Sequence, residues 1–207
     1  MKLPDTLLLG TKNEYKVAEL AELLAGLPWE VKGLNVLPPL PEPREDGITF
    51  EENALLKAVY YQKASGLACV ADDSGIVVDA LDGAPGVYSA RYAGEDCTDA
   101  ENNKKLLAEL VGIPAEARTA RFVCCAAIAH MDASTHCETG AVEGHIAFQP
   151  RGSTGFGYDP LFIPDGFDQT FAELGASVKQ RISHRARAFG KLRAYLENLH
   201  ERSSSNH

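Results

Sequence analysis

The stretch LACVADDSGIVVDAL, residues 67–81, sets two adjacent carboxylates, Asp72 and Asp73, at the end of a short apolar run. Asp, Ser and Gly favour turns, so the pattern predicts a strand, a sharp turn at the Asp-Asp-Ser-Gly step and a second strand. If the chain instead stays extended through Asp73, neighbouring side chains point to opposite faces of a sheet. The two acids then do not compete for one site. One faces a functional surface and the other is free to cap a turn or a helix. The rest of the chain has to decide between these readings.

Upstream, TFEENALLKAVYYQKASG (49–66) reads as a helix with a capping box of Thr49 and Glu52 and a stop at Gly66. Asn53 and Lys57, at i and i+4, share one of its faces. The Pro-rich segment LPPLPEPREDG (37–47) before it cannot be regular structure, and within it Glu45 is the best second carboxylate. Further back, TLLLGTKNEYKVAELAELLAG (6–26) reads as a buried strand, a tight connection and a helix. Val17, Leu20, Ala21 and Leu24 form that helix's apolar stripe, with Lys16, Glu19 and Glu22 facing out. Residues 29–36 suit another strand.

Downstream, APGVYSARYAGED (84–96) is loop-like, and Thr98 or Asp99 caps a helix running to about Leu110. Residues 118–131 and 135–148 are β-rich runs flanking a short turn, which predicts an antiparallel hairpin. The Gly-rich QPRGSTGFGYDP (149–160) and the short run LFI (161–163) follow. A final helix starts near Ser183 with Phe189, Leu192 and Leu196 on its apolar side. The order of elements predicts an α/β fold with one mixed sheet and helices packed on it, arranged as two lobes around a cleft. It reads as a single domain over residues 1–200, with 201–207 a disordered tail.

At 207 residues, 45% hydrophobic and 24% charged, the chain can bury a core without staples. Its formal net charge of −9 repels polyanions, which argues against coating of nucleic acid. No apolar run is long enough to span a bilayer, and no secretory signal precedes Leu7. The five cysteines form no C-x-x-C pair, so reduced thiols in a cytoplasmic protein are expected, with Cys69, Cys124 and Cys125 in the core.

Three segments carry the chemistry. In GTKNEYK (10–16), Lys12 and Lys16 sit at a helix start, where the dipole disfavours cations unless an anion binds; the alternative is Asn13 as a plain N-cap with solvated lysines. Lys179, Arg181, His184, Arg185 and Arg187 repeat the conflict at the start of the last helix, with Ser183 as its cap. Phe156 and Tyr158, on a Gly-rich loop, could stack on a base or anchor the loop. A magnesium ion takes one or two protein carboxylates and completes its shell with water and phosphate oxygens. One metal, several lysines and a stacking loop describe a nucleoside triphosphate site.

Taken together, TKNEYK (11–16), EDGITFEENALLKA (45–58), ADDSGIVVDALDGAPGVYSARYAGE (71–95), GFGYDP (155–160) and ISHRARA (182–188) resemble the inosine triphosphate pyrophosphatase, or Ham1-like, family. The resemblance implies an elongated mixed β-sheet with flanking helices and two lobes around a central substrate cleft, as a homodimer. It implies Mg²⁺-dependent hydrolysis of ITP, dITP and XTP to the nucleoside monophosphate and pyrophosphate, with no nucleic-acid or membrane partner. Asp73 would be the catalytic acceptor of the water proton and, with Glu45, a metal ligand. Thr11, Lys12, Asn13, Glu14, Tyr15, Lys16 and Lys57 would hold the triphosphate, and Ser74 would contact substrate. Phe156, Gly157, Tyr158, Asp159, Lys179, His184 and Arg185 would hold the base. One departure stands out: Arg44 occupies the place where many members carry a second acid before Gly47.

Overall fold

The computed structural model describes residues 6–204, and there the acidic step is not a turn. Ala68–Val78 is one unbroken strand, β3. It pairs in parallel with β1 (Thr6–Leu9), with Leu7 opposite Ala68 and Leu9 opposite Val70. Its other edge is taken by β4 (Thr119–Ala129). Pairing with β1 ends at Val70, so beyond it the strand is held along its β4 edge. Backbone groups bonded in that ladder stay extended, against the turn preference of Asp, Ser and Gly. Turning waits until a short 3₁₀ segment at Asp79–Leu81.

The six strands lie in the order β2-β1-β3-β4-β5-β6. β2 (Glu30–Lys32) is parallel to β1, and is shorter than the sequence predicts because Leu34–Val36 winds into a 3₁₀ turn. β5 (Thr135–Ile146) follows β4 through a turn closed by the His130 N–H donating to the Ser134 carbonyl at 2.8 Å, as the hairpin pattern predicts. β6 (Phe162–Pro164) is antiparallel to β5.

The chain divides into two compact units. The first holds the chain up to Asp73, Cys125–Gly140 and the chain from Arg187 onward; the second holds Ser74–Cys124 and Ala141–Ala186. In the first, α1 (Glu14–Leu23) is capped by Asn13, whose side chain accepts from the Lys16 N–H. Leu20 and Leu24 are buried as the stripe predicts, whereas Ala21 is exposed and Lys16 turns inward. α2 (Phe50–Ser65) has both halves of the Thr49–Glu52 capping box and ends on Gly66 at φ 70°. Ala54 and Ala58 of α2 pack on Ala71 of β3 and Cys125, Ala127 and Ala129 of β4. With only methyl groups at most of these positions, helix and sheet approach closely.

In the second unit, α3 (Asp99–Glu109) is capped by Thr98 with Glu101 completing a second box. Its Leu106 joins Ile76, Phe122, Tyr158, Phe162 and Phe171 in one core. α4 (Phe171–Leu174) opens on a third capping box, Thr170 with Glu173, a signal the sequence reading passed over, and α5 (Ala176–Ile182) is a short helix with no side-chain cap. α6 (His184–Ser204) carries Phe189, Leu192 and Leu196 inward. No glycine or proline interrupts α6 after residue 200, so it runs on to Ser204 where a tail was expected; residues 205–207 lie outside the described residues. Cys69, Cys124 and Cys125 are buried, and all five cysteines are free thiols. Among the described residues, no helix is long and apolar enough to cross a membrane.

Because the cap of α2 orients the helix that bears Asn53 and Lys57, Thr49→Ala should lower stability by about 1 kcal/mol. Urea unfolding of the two proteins measures the difference.

Candidate active site

Alternation along β3 assigns the two acids. Cys69 packs with Tyr61 of α2, and Ala71 packs with Ala54 and Ala58, so odd-numbered residues face α2. Asp73 continues that row. Its Oδ1 accepts from Lys57 Nζ at 2.9 Å and its Oδ2 from Asn53 Nδ2 at 3.4 Å. Asp72 points the other way, where Lys16 Nζ of α1 donates to both of its oxygens, at 3.2 and 3.3 Å. Both aspartates are buried, and an uncompensated charge there would cost several kcal/mol. Lys16 is therefore not a solvated lysine.

Lys57 has a second acid. Its Nζ lies 3.2 Å from Glu45 Oε2, so one ammonium bridges Glu45 and Asp73. Burial opposes the charge on Lys57, but Asp73, Glu45 and Asp72 outweigh it and hold the amine above its ordinary pKa. Burial also pushes the Asp73 carboxyl up, against the pull of Lys57. In the loop before α2, Glu45 is half-buried while Arg44 and Asp46 are exposed, so Arg44 does not displace the inward carboxylate. The loop is pinned by Asn53, whose Oδ1 accepts from the Gly47 N–H at 2.9 Å. A Cβ on residue 47 would come within 2.6 Å of that oxygen, which explains the glycine.

The stretch before α1 is a plain cap with additions. Thr11 Oγ1 accepts from the Asn13 N–H at 3.2 Å. Lys12, Asn13, Glu14 and Tyr15 are exposed, and Lys12 meets Glu42 at 3.7 Å.

In the second unit, Asp159 is buried and organises the Gly-rich loop. Its Oδ2 accepts from the Phe156 N–H at 3.0 Å and from Lys179 Nζ at 2.6 Å. Lys179 Nζ lies 4.3 Å from the centroid of the half-buried Phe156 ring, and Arg185 Cζ lies 5.7 Å from it. Arg185, 1% exposed, donates to Ser74 Oγ at 3.0 Å. The His184 ring is stacked on Phe122 at 4.7 Å. Tyr158 is no stacking platform. It is buried, and its hydroxyl donates to the Ser89 carbonyl at 2.8 Å, so it is the loop anchor.

The Ham1 family model matches residues 7–195. The chain belongs to the Ham1 family. Similar proteins include a dITP/XTP pyrophosphatase of Geobacter sulfurreducens, 48% identical over 190 residues that cover 92% of this chain and 96% of that one. Another, of Bacillus licheniformis, is 50% identical over 190 residues, 92% and 97% of the two chains. Among solved structures, the Staphylococcus aureus Ham1 protein has a TM-score of 0.85 at 40% identity, covering 93% of this chain and 98% of its own. A HAM1 protein from Coxiella burnetii has a TM-score of 0.86 at 39% identity, covering 95% and 100%.

In this Ham1 chain the five clustered cations divide between two helices. Lys179 and Arg181 lie in the last turn of α5, where the dipole favours cations, so His184, Arg185 and Arg187 are the three that open α6. Ser183 Oγ caps that start, accepting from the Ala186 N–H at 3.1 Å. Other supports escaped sequence reasoning. Asp99 Oδ2 accepts from the Gly157 N–H at 2.6 Å, and Asn103 Nδ2 donates to the Gly157 carbonyl at 3.0 Å. Both read as ordinary residues of a helix start, and nothing local shows the distant loop they hold.

Tyr158→Phe keeps the ring but removes the donor to Ser89, and should lower stability by about 1 kcal/mol. Equilibrium unfolding checks this, and an unchanged midpoint would remove the anchor role.

Proposed function

We propose that this chain is a nucleoside triphosphate pyrophosphatase that uses Mg²⁺ to hydrolyse ITP, dITP and XTP between the α- and β-phosphates. The products are the nucleoside monophosphate and pyrophosphate. The observation that carries the reading is the convergence of two carboxylates, Asp73 and Glu45, on one cation, the Lys57 ammonium. An all-oxygen set of two acids suits a hard divalent ion that draws its remaining ligands from water and phosphate. The names of the relatives, dITP/XTP pyrophosphatases, support dITP and XTP as substrates.

Bound there, the ion would neutralise triphosphate charge and acidify water. Lys57 and Lys16 would contribute further positive charge, since phosphoryl chemistry depends mainly on positioning and charge neutralisation. Burial raises the proton affinity of Asp73, which suits a proton acceptor, while metal ligation pulls it the other way. For the base, Phe156 offers an aromatic face, and Lys179, His184 and Arg185 supply donors suited to a 6-oxo group. Adenine presents an amino donor at that position, and a site of fixed donors discriminates against it strongly. A homodimer working in the cytoplasm on free nucleotides completes the proposal; the acidic net charge supports a small-molecule rather than a nucleic-acid partner.

Pyrophosphate release from ITP, XTP, dATP, GTP and UTP, with Mg²⁺ and with EDTA, tests it. Pyrophosphate from ITP and XTP alone, lost with EDTA, is the expected result; orthophosphate would mean attack at the γ-phosphate. Asp73→Asn should abolish turnover while circular dichroism stays unchanged, and normal turnover would take Asp73 out of the mechanism.

A further inference from the structure

We propose that the Lys57 ammonium holds the place of the divalent cation between Asp73 and Glu45, so that the metal enters with the nucleotide and not before it. The inference rests on the reading of these two acids as metal ligands. Lys57 Nζ stands 2.9 Å from Asp73 Oδ1 and 3.2 Å from Glu45 Oε2. A small ion taking those same two oxygens, at about 2.0–2.1 Å from each for Mg²⁺, would compete with the ammonium for them. Two cations in one gap repel, so ammonium and metal exclude each other. The other Asp73 oxygen is taken by Asn53, one turn earlier on α2.

A triphosphate changes this balance. Its oxygens give Lys57 new acceptors, so the buried ammonium can leave the carboxylates without losing its partners. The flexible four-carbon stem of lysine permits the move. Metal and nucleotide then raise each other's affinity by the same factor, as linkage requires. Lys16 is held on the opposite face by Asp72 and does not stand between the two acids.

Mn²⁺ binding to the protein, followed by electron paramagnetic resonance, tests the proposal. Wild type should bind Mn²⁺ weakly alone and more tightly with α,β-methylene-ITP. Lys57→Met and Lys57→Gln should bind Mn²⁺ alone at least about tenfold more tightly than wild type. Lys16→Met should change binding far less, and Lys57→Arg should stay weak. Glu45→Gln in the Lys57→Gln protein should erase the gain. Equal or weaker Mn²⁺ binding by folded Lys57→Gln overturns the inference and leaves the proposed function standing. No Mn²⁺ binding by any form, with or without the analogue, overturns both.

Discussion

Two neighbouring carboxylates inside a sheet strand stay ionised only if each finds a cation, and the first unit is arranged around that constraint. The pleat of β3 separates Asp72 from Asp73 by sending them to opposite faces. Each face then needs a lysine delivered by its own helix. α1 supplies Lys16 from its first turn, and α2 supplies Lys57 from its second. Both helix starts are set by side-chain caps, Asn13 and Thr49, so local sequence chemistry fixes where each charge emerges. Asn53, on the same face as Lys57, ties the loop bearing Glu45 to Asp73.

The second unit meets the same problem with a loop. Asp159 is buried and satisfied by one lysine and one backbone N–H, and that pairing shapes the turn beneath Phe156. Asp99, Asn103 and Ser89 hold the neighbouring residues. Of the two aromatic rings in the loop, Tyr158 is committed to the core and Phe156 stays half-exposed. A glycine at 155 belongs to the same arrangement, since a side chain there would collide with the Asp159 carboxylate.

Features with strong local signals were legible in the sequence. The Thr49 and Thr98 caps, the Gly66 stop and the β4–β5 hairpin appear where their patterns place them, because each depends on residues within a few positions. Features set by distant partners were not. β3 runs through a turn-favouring step beyond the end of β1 because β4, far away in sequence, pairs along its other edge. Lys16 looks solvent-facing on a helical wheel and is drawn inward by a carboxylate on β3. Lys179 and Arg181 read as the start of one long helix until α5 separates them from α6. The resemblance pairs Asp73 with Glu45 and puts Lys57 with the triphosphate; that the lysine bridges the two acids needs coordinates.

The alanine contact between α2 and the sheet has a consequence for how such chains diverge. Ala54 and Ala58 lose no rotamer freedom when buried, so the close approach carries little entropic penalty. The same closeness leaves no room for growth. A larger side chain at 54, 58, 71 or 127 would lift the helix away from the strand and draw Lys57 and Asn53 out of reach of Asp73. Substitutions at this seam are thus tolerated only near the size of alanine, a limit set by packing and not by chemistry.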